Sequence, residues 1–112
     1  MDVGRGAGDR AGEVRVVVEA VAWVTRFVGG DGSRRRLFQE RYPAGTSVRG
    51  ALTDLCGRFP ELAAALWDAS GRELAEHIEV LVNDAVLGVQ HTLESRLQDG
   101  DRITLIGAFT GG

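Results

Sequence analysis

Two glycines, Gly111 and Gly112, stand at the end of this 112-residue sequence. A carboxylate is a poor electrophile until it is activated, for instance as a mixed anhydride with AMP. A glycine acyl carbon carries no side chain, so a nucleophile reaches it unobstructed, and two glycines in succession form a slender backbone that can thread a narrow channel. The six residues from Gly107 span up to ~20 Å when extended. With that reach the terminus can enter a partner's active site, and the chain would be a substrate and carrier rather than a catalyst. The opposing reading is a frayed end, which small residues suit. Glycine is abundant, at 16 of 112 residues. A terminal pair would still arise by chance in only about 2% of chains of that composition.

Other reactive side chains are sparse. The single cysteine, Cys56, excludes an internal disulfide framework and a multi-cysteine zinc or iron–sulfur site. It falls on the apolar face of an expected helix and reads as a small buried hydrophobe rather than a sulfur-transfer thiol. Two histidines, His77 and His91, cannot build a three-histidine zinc site, and no metal site is expected. Asp84, Asp99 and Asp101 occupy turn positions, where aspartate commonly bonds nearby backbone. No glycine-rich phosphate loop precedes a helix at the required spacing. All thirteen basic residues are arginine. Without lysine there is no Schiff-base chemistry and no ε-amine acceptor within the chain. Arg34-Arg35-Arg36 reads either as a solvated hairpin or as a docking patch for an acidic or phosphate-bearing partner. The net charge of −3 argues against nucleic-acid binding through bulk electrostatics.

The elements that must carry these residues follow from periodicity. Met1 to Gly12 has no apolar period and is expected to be a flexible arm, with a folded domain over 13–108 and a reactive tail over 109–112. Glu13 to Val24 is dense in β-branched residues and reads as one strand, with Val14, Val16 and Val18 on one face and Val17, Val21 and Trp23 on the other. The cluster Gly29–Ser33 is a turn, and a second strand over Arg35–Tyr42 completes a hairpin. Thr46 or Ser47 caps a helix whose Val48, Leu52, Leu55, Cys56 and Phe59 share a face. Pro60 opens a further helical stretch to Trp67. Ile78, Val80 and Val82 mark a third strand, Ala85–Val89 a short return, Thr92–Leu97 a single helical turn, and Arg102–Ile106 the last strand. This order predicts an α+β fold of the β-grasp type, a mixed sheet with one main helix on one face and the first and last strands side by side in the middle. No stretch has the length to span a bilayer or the form of a secretory signal, so a cytoplasmic protein with no membrane partner is expected. Phe109 lies past the last strand, where no core remains to cover it, and is expected to anchor in a partner pocket with Ala108 and Thr110 beside it; the alternative is that it folds back onto its own sheet.

At Ile78–Gly112 the sequence resembles the MoaD/ThiS family of ubiquitin-like sulfur carriers. The resemblance rests on Asn83 at a strand end, Leu97, Asp99-Gly100-Asp101, Ile103 and the final Gly111-Gly112. Gly45–Leu62 is similar to the family's helix start and following R-x-P-x-L, and the likeness spans about Glu13 to Gly112. It implies that an ATP-dependent activating enzyme adenylates Gly112, that a sulfur donor converts it to a thiocarboxylate, and that an acceptor enzyme takes the sulfur. That acceptor would be a molybdopterin-synthase large subunit or a cysteine-synthase-like enzyme, with no cofactor resident on the chain itself. The same activation chemistry would serve a protein modifier joined to targets through Gly112. A third alternative is a β-grasp interaction subunit whose Gly-Gly plays no part. The family's prolines before Gly-Gly are absent, with Gly107-Ala108-Phe109-Thr110 in their place.

Overall fold

The computed structural model describes residues 12–32, 34–88 and 90–108. The expected flexible arm, apart from Gly12, and the tail residues Phe109, Thr110, Gly111 and Gly112 lie outside them.

Strand β1 (Glu13–Ala20) lies in antiparallel pairing along the whole of β2 (Arg36–Pro43). It also runs parallel to β5 (Arg102–Gly107), which pairs on its other side with β3 (Ile78–Val82); β4 (Ala85–Val86) closes the edge. The sheet order is β2-β1-β5-β3-β4. First and last strands are neighbours in the middle, as the β-grasp expectation requires. One face is apolar because alternate residues point the same way. Val14, Val16, Val18 and Ala20, Ile78, Val80 and Val82, and Ile103 and Leu105 are all buried there.

Helix α1 (Val48–Arg58) covers that face. The Ser47 hydroxyl accepts from the Gly50 N–H at 3.0 Å, so the expected cap is present. Leu52 and Leu55 are fully buried, as their spacing predicts. Helix α2 (Pro60–Leu66) follows at once with proline in its first turn, and buries Leu62 and Leu66. Phe59, expected on the buried face of α1, instead ends that helix half-buried, its ring 5.6 Å from that of Phe38.

Three local expectations are corrected. The first strand stops at Ala20, and Ala22–Val28 forms a 3-10 helix that buries Val24, Thr25 and Val28. Ala22, at φ 56°, turns the chain out of the sheet, and the Thr25 hydroxyl bridges the Ala22 carbonyl (2.7 Å) and the Gly32 N–H (2.8 Å). β-Branched density made the segment look extended, whereas burial at 24, 25 and 28 follows a helical spacing. The expected helical turn at 92–97 is a non-helical turn that lies against the start of α1. The carbonyls of Ser95 and Leu93 accept from Val48 N–H and Arg49 N–H at 2.9 and 2.8 Å, occupying donors that a helix start leaves unpaired. The short return strand spans only Ala85–Val86.

Candidate functional site

The end of β5 is where the candidate residues begin, and the chain holds it on three sides. Gly107 pairs with Ile78, the Leu105 carbonyl accepts from Val21 N–H at 3.0 Å, and Ala108 N–H donates to the His77 carbonyl at 2.8 Å. The indole of Trp23 lies over Gly107 so closely that a Cβ there would collide with it. Glycine at 107 is therefore a packing requirement. Trp23 remains 39% exposed and meets Phe27 edge to face, ring centroids 5.8 Å apart. The six-residue reach expected from Gly107 is thereby shortened. The four residues beyond Ala108 extend at most ~14 Å.

The L-x-D-G-D and V-N segments at the far end of β5 prove structural. Asp101 is buried, accepting from Asn83 Nδ2 at 2.9 Å and from Gln98 N–H at 2.8 Å, while Asn83 Oδ1 accepts from Arg102 N–H at 2.9 Å. Asn83 and Asp84 take positive φ, 50° and 71°, in the tight turn between β3 and β4. Asp99 accepts from the Arg15 N–H at 2.8 Å and pairs with its guanidinium, which together hold its carboxyl below the usual aspartate range. Asp101 thus braces its own turn, as the sequence reading expects, whereas Asp99 ties that turn to β1 through Arg15 and Asp84 meets the Arg102 guanidinium at 3.5 Å.

Cys56 is buried, and burial pushes its thiol pKa up, away from thiolate chemistry. His77 is exposed, contributing only its carbonyl to the tail root. Among the described residues no three histidine, cysteine or acidic side chains cluster to hold a metal ion. No helix among them is long and apolar enough to cross a membrane.

The open face of the sheet carries a second feature. The strand registers align Leu37, Glu19, Thr104, Leu81 and Val86 in one row across all five strands. Leu37 and Val86 are exposed at its two ends, 54% and 43%. At its centre Glu19 is buried, 2.9 Å from Arg35 Nη1 and accepting from Thr104 Oγ1 at 3.4 Å. The row is thus polar at its centre and apolar toward both ends, with its buried carboxylate paired to Arg35 just before β2. Sequence alone did not single out Trp23 or this row, because each depends on strands distant in the chain.

The sequence profile of the ThiS family matches residues 32–112, through both final glycines. The chain belongs to the ThiS family. No curated protein matches it. Among solved structures, the small archaeal modifier protein SAMP1 from Haloferax volcanii is 26% identical, covering 88% of this chain and 99% of its own, with a TM-score of 0.68. A chain of the Amycolatopsis orientalis BexX/CysO complex is 27% identical, covering 87% and 99%, with a TM-score of 0.61. The solution structure of Urm1 from Trypanosoma brucei, 24% identical over 89% and 97% with a TM-score of 0.67, shares the fold. The β-grasp, ubiquitin-like architecture and the membership expected from Asn83, Asp99-Gly100-Asp101 and Gly111-Gly112 are thus established. ThiS-family proteins are small carriers that work with partner enzymes.

Proposed function

We propose that this ThiS-family protein carries sulfur on the carboxyl group of Gly112. A carboxylate oxygen of Gly112 attacks the α-phosphorus of ATP in the active site of an activating enzyme. The bond to pyrophosphate breaks, and an acyl-adenylate forms. A sulfur nucleophile at the hydrosulfide level, supplied by a donor, then attacks the acyl carbon and expels AMP, leaving a thiocarboxylate. An acceptor enzyme, of the molybdopterin-synthase or cysteine-synthase-like kind, takes that sulfur into a small molecule. Gly111 supplies the slender neighbour, and Ala108, Phe109 and Thr110 contact the partner. ATP is the partner's substrate, and this chain works without a resident cofactor, in the cytoplasm.

The observation that carries this reading is the family match running through Gly111 and Gly112. The pinned strand end at Gly107–Ala108 supports it, because a fixed root gives a short tail a defined point of entry. Intact mass of the protein isolated from its own cells tests it. The expected spectrum contains a species with sulfur in place of one oxygen, lost on alkylation and hydrolysis. Only the plain mass, from cells with an active sulfur pathway, would contradict it.

A second reading has its own support in the likeness to a small archaeal modifier protein. Conjugation through Gly112 to lysines of other proteins uses the same adenylate. The absence of lysine from this sequence would then prevent chains built on its own side chains. Higher-mass conjugates in the same spectra would favour it.

A further inference from the structure

The tail root shares its end of the sheet with a group of arginines. Ala20 lies opposite Arg36 on one side and Leu105 on the other. Strand β1 runs parallel to β5 and antiparallel to β2, so the residues preceding Arg36 and those following Leu105 project from the same end. Two strand spacings, ~10 Å, separate β2 from β5. The 3-10 helix bridges that end, with Trp23 on Gly107 and Arg26 wrapped against Gly32.

Four arginines therefore gather there: Arg26, Arg34, Arg35 and Arg36, all exposed. Arg35 is committed to the buried Glu19. Arg36 lies over the Phe38 ring, its guanidinium carbon 5.4 Å from the centroid. Arg26, Arg34 and Arg36 make no ion pair among the described residues. Among the described residues the acidic groups near this end include Glu19 on Arg35, Asp31 in the same loop, and Glu76 and Glu79 beside the start of β3. A basic cluster on a chain of net charge −3 is a local field opposed to that of the whole molecule.

Reach decides what this field meets. With at most ~14 Å of tail beyond Ala108, the surface that surrounds the acceptor of Gly112 must close over this end of the sheet. We infer that Arg34 and Arg36, with half-exposed Trp23 as the apolar anchor, form a docking surface for an acidic rim around the activating enzyme's tail channel. The surface uses residues outside the tail, and the inference rests on the proposed role of Gly112. Opposite charges would steer the encounter and orient the tail before it enters, an effect that salt weakens.

The test measures binding to the organism's own activating enzyme and ATP–pyrophosphate exchange, at low and high ionic strength. The chains compared are the intact protein, R34E/R36E and W23A, with melting temperatures as the control. For R34E/R36E the expected result is a rise on the order of ten-fold in both Kd and KM at low salt, with kcat nearly unchanged. The salt dependence of binding should be largely lost, and the melting temperature retained. W23A should weaken binding at every salt concentration alike. Exchange by the intact chain with unchanged KM and salt slope in R34E/R36E would overturn the docking surface. Salt-sensitive binding that depends on Arg34 and Arg36, without exchange by the intact chain, would contradict the role of Gly112 and leave the surface standing. Absence of both binding and exchange would overturn both.

Discussion

At the scale of single residues, Gly107 and Trp23 form a pair that neither residue type announces. Gly107 does not adopt a left-handed backbone; what it lacks is room for a Cβ under the indole. Gly107→Ala must displace Trp23, and overpacking of this kind costs about 1–3 kcal/mol. The expected outcome is a lower unfolding free energy and an altered tryptophan emission. A double-mutant cycle with Trp23→Ala should return a coupling of at least about 0.5 kcal/mol. Additivity would mean that the two side chains do not meet. Asp99 offers a second residue-scale test. Its carboxyl is held down first by the Arg15 N–H and then by the Arg15 guanidinium. A depressed carboxylate contributes stability that is present above its unfolded pKa and is lost as pH falls through the lower folded value. In an NMR titration Asp99 should release its proton below the ordinary aspartate value of about 3.9. Arg15→Ala should shift the midpoint upward only in part, because the backbone donor survives. An unshifted midpoint in the intact protein would contradict the contact.

At the scale of elements, most of the frame was legible because it repeats. Alternation at 14, 16 and 18 and at 78, 80 and 82 marks strands, and the 48, 52, 55 spacing marks α1; all nine of these side chains are buried. Leu52→Ala or Leu55→Ala should cost roughly 2–5 kcal/mol in chemical denaturation, since each leaves a cavity in a fully packed site. A loss well under 1 kcal/mol would show that neither holds the helix to the sheet. Ala22–Val28 was illegible for a physical reason. Its valines and aromatics suit a strand, and only tertiary packing against β5 and α2 makes a 3-10 turn the better way to bury Val24 and Val28. The segment at 92–97 misled in the opposite sense. Its polar start resembles a helix cap, but its carbonyls are occupied by α1's first N–H groups.

At the scale of the whole molecule, the fold sets a central strand as the base of a short tail. It surrounds that strand's end with an aromatic ledge and a basic cluster. The last strand and the final glycines were readable from sequence because they are contiguous. The ledge and the arginines were not assembled, because Trp23, Arg36 and Gly107 come together only through the β2-β1-β5 order. The central claim concerns the carboxylate of Gly112, and deletion of that residue bears on it most directly. Removing Gly112 withdraws the carboxylate by about 3.5 Å from the point where ATP is attacked. A misplacement of that size can cost about two orders of magnitude in rate even where binding survives. ATP–pyrophosphate exchange with the cognate activating enzyme, run on the intact chain and on the chain lacking Gly112, measures this loss. Exchange by the intact chain and a fall of about a hundred-fold without Gly112 is the result expected; equal exchange by both chains would contradict Gly112 as the reactive centre.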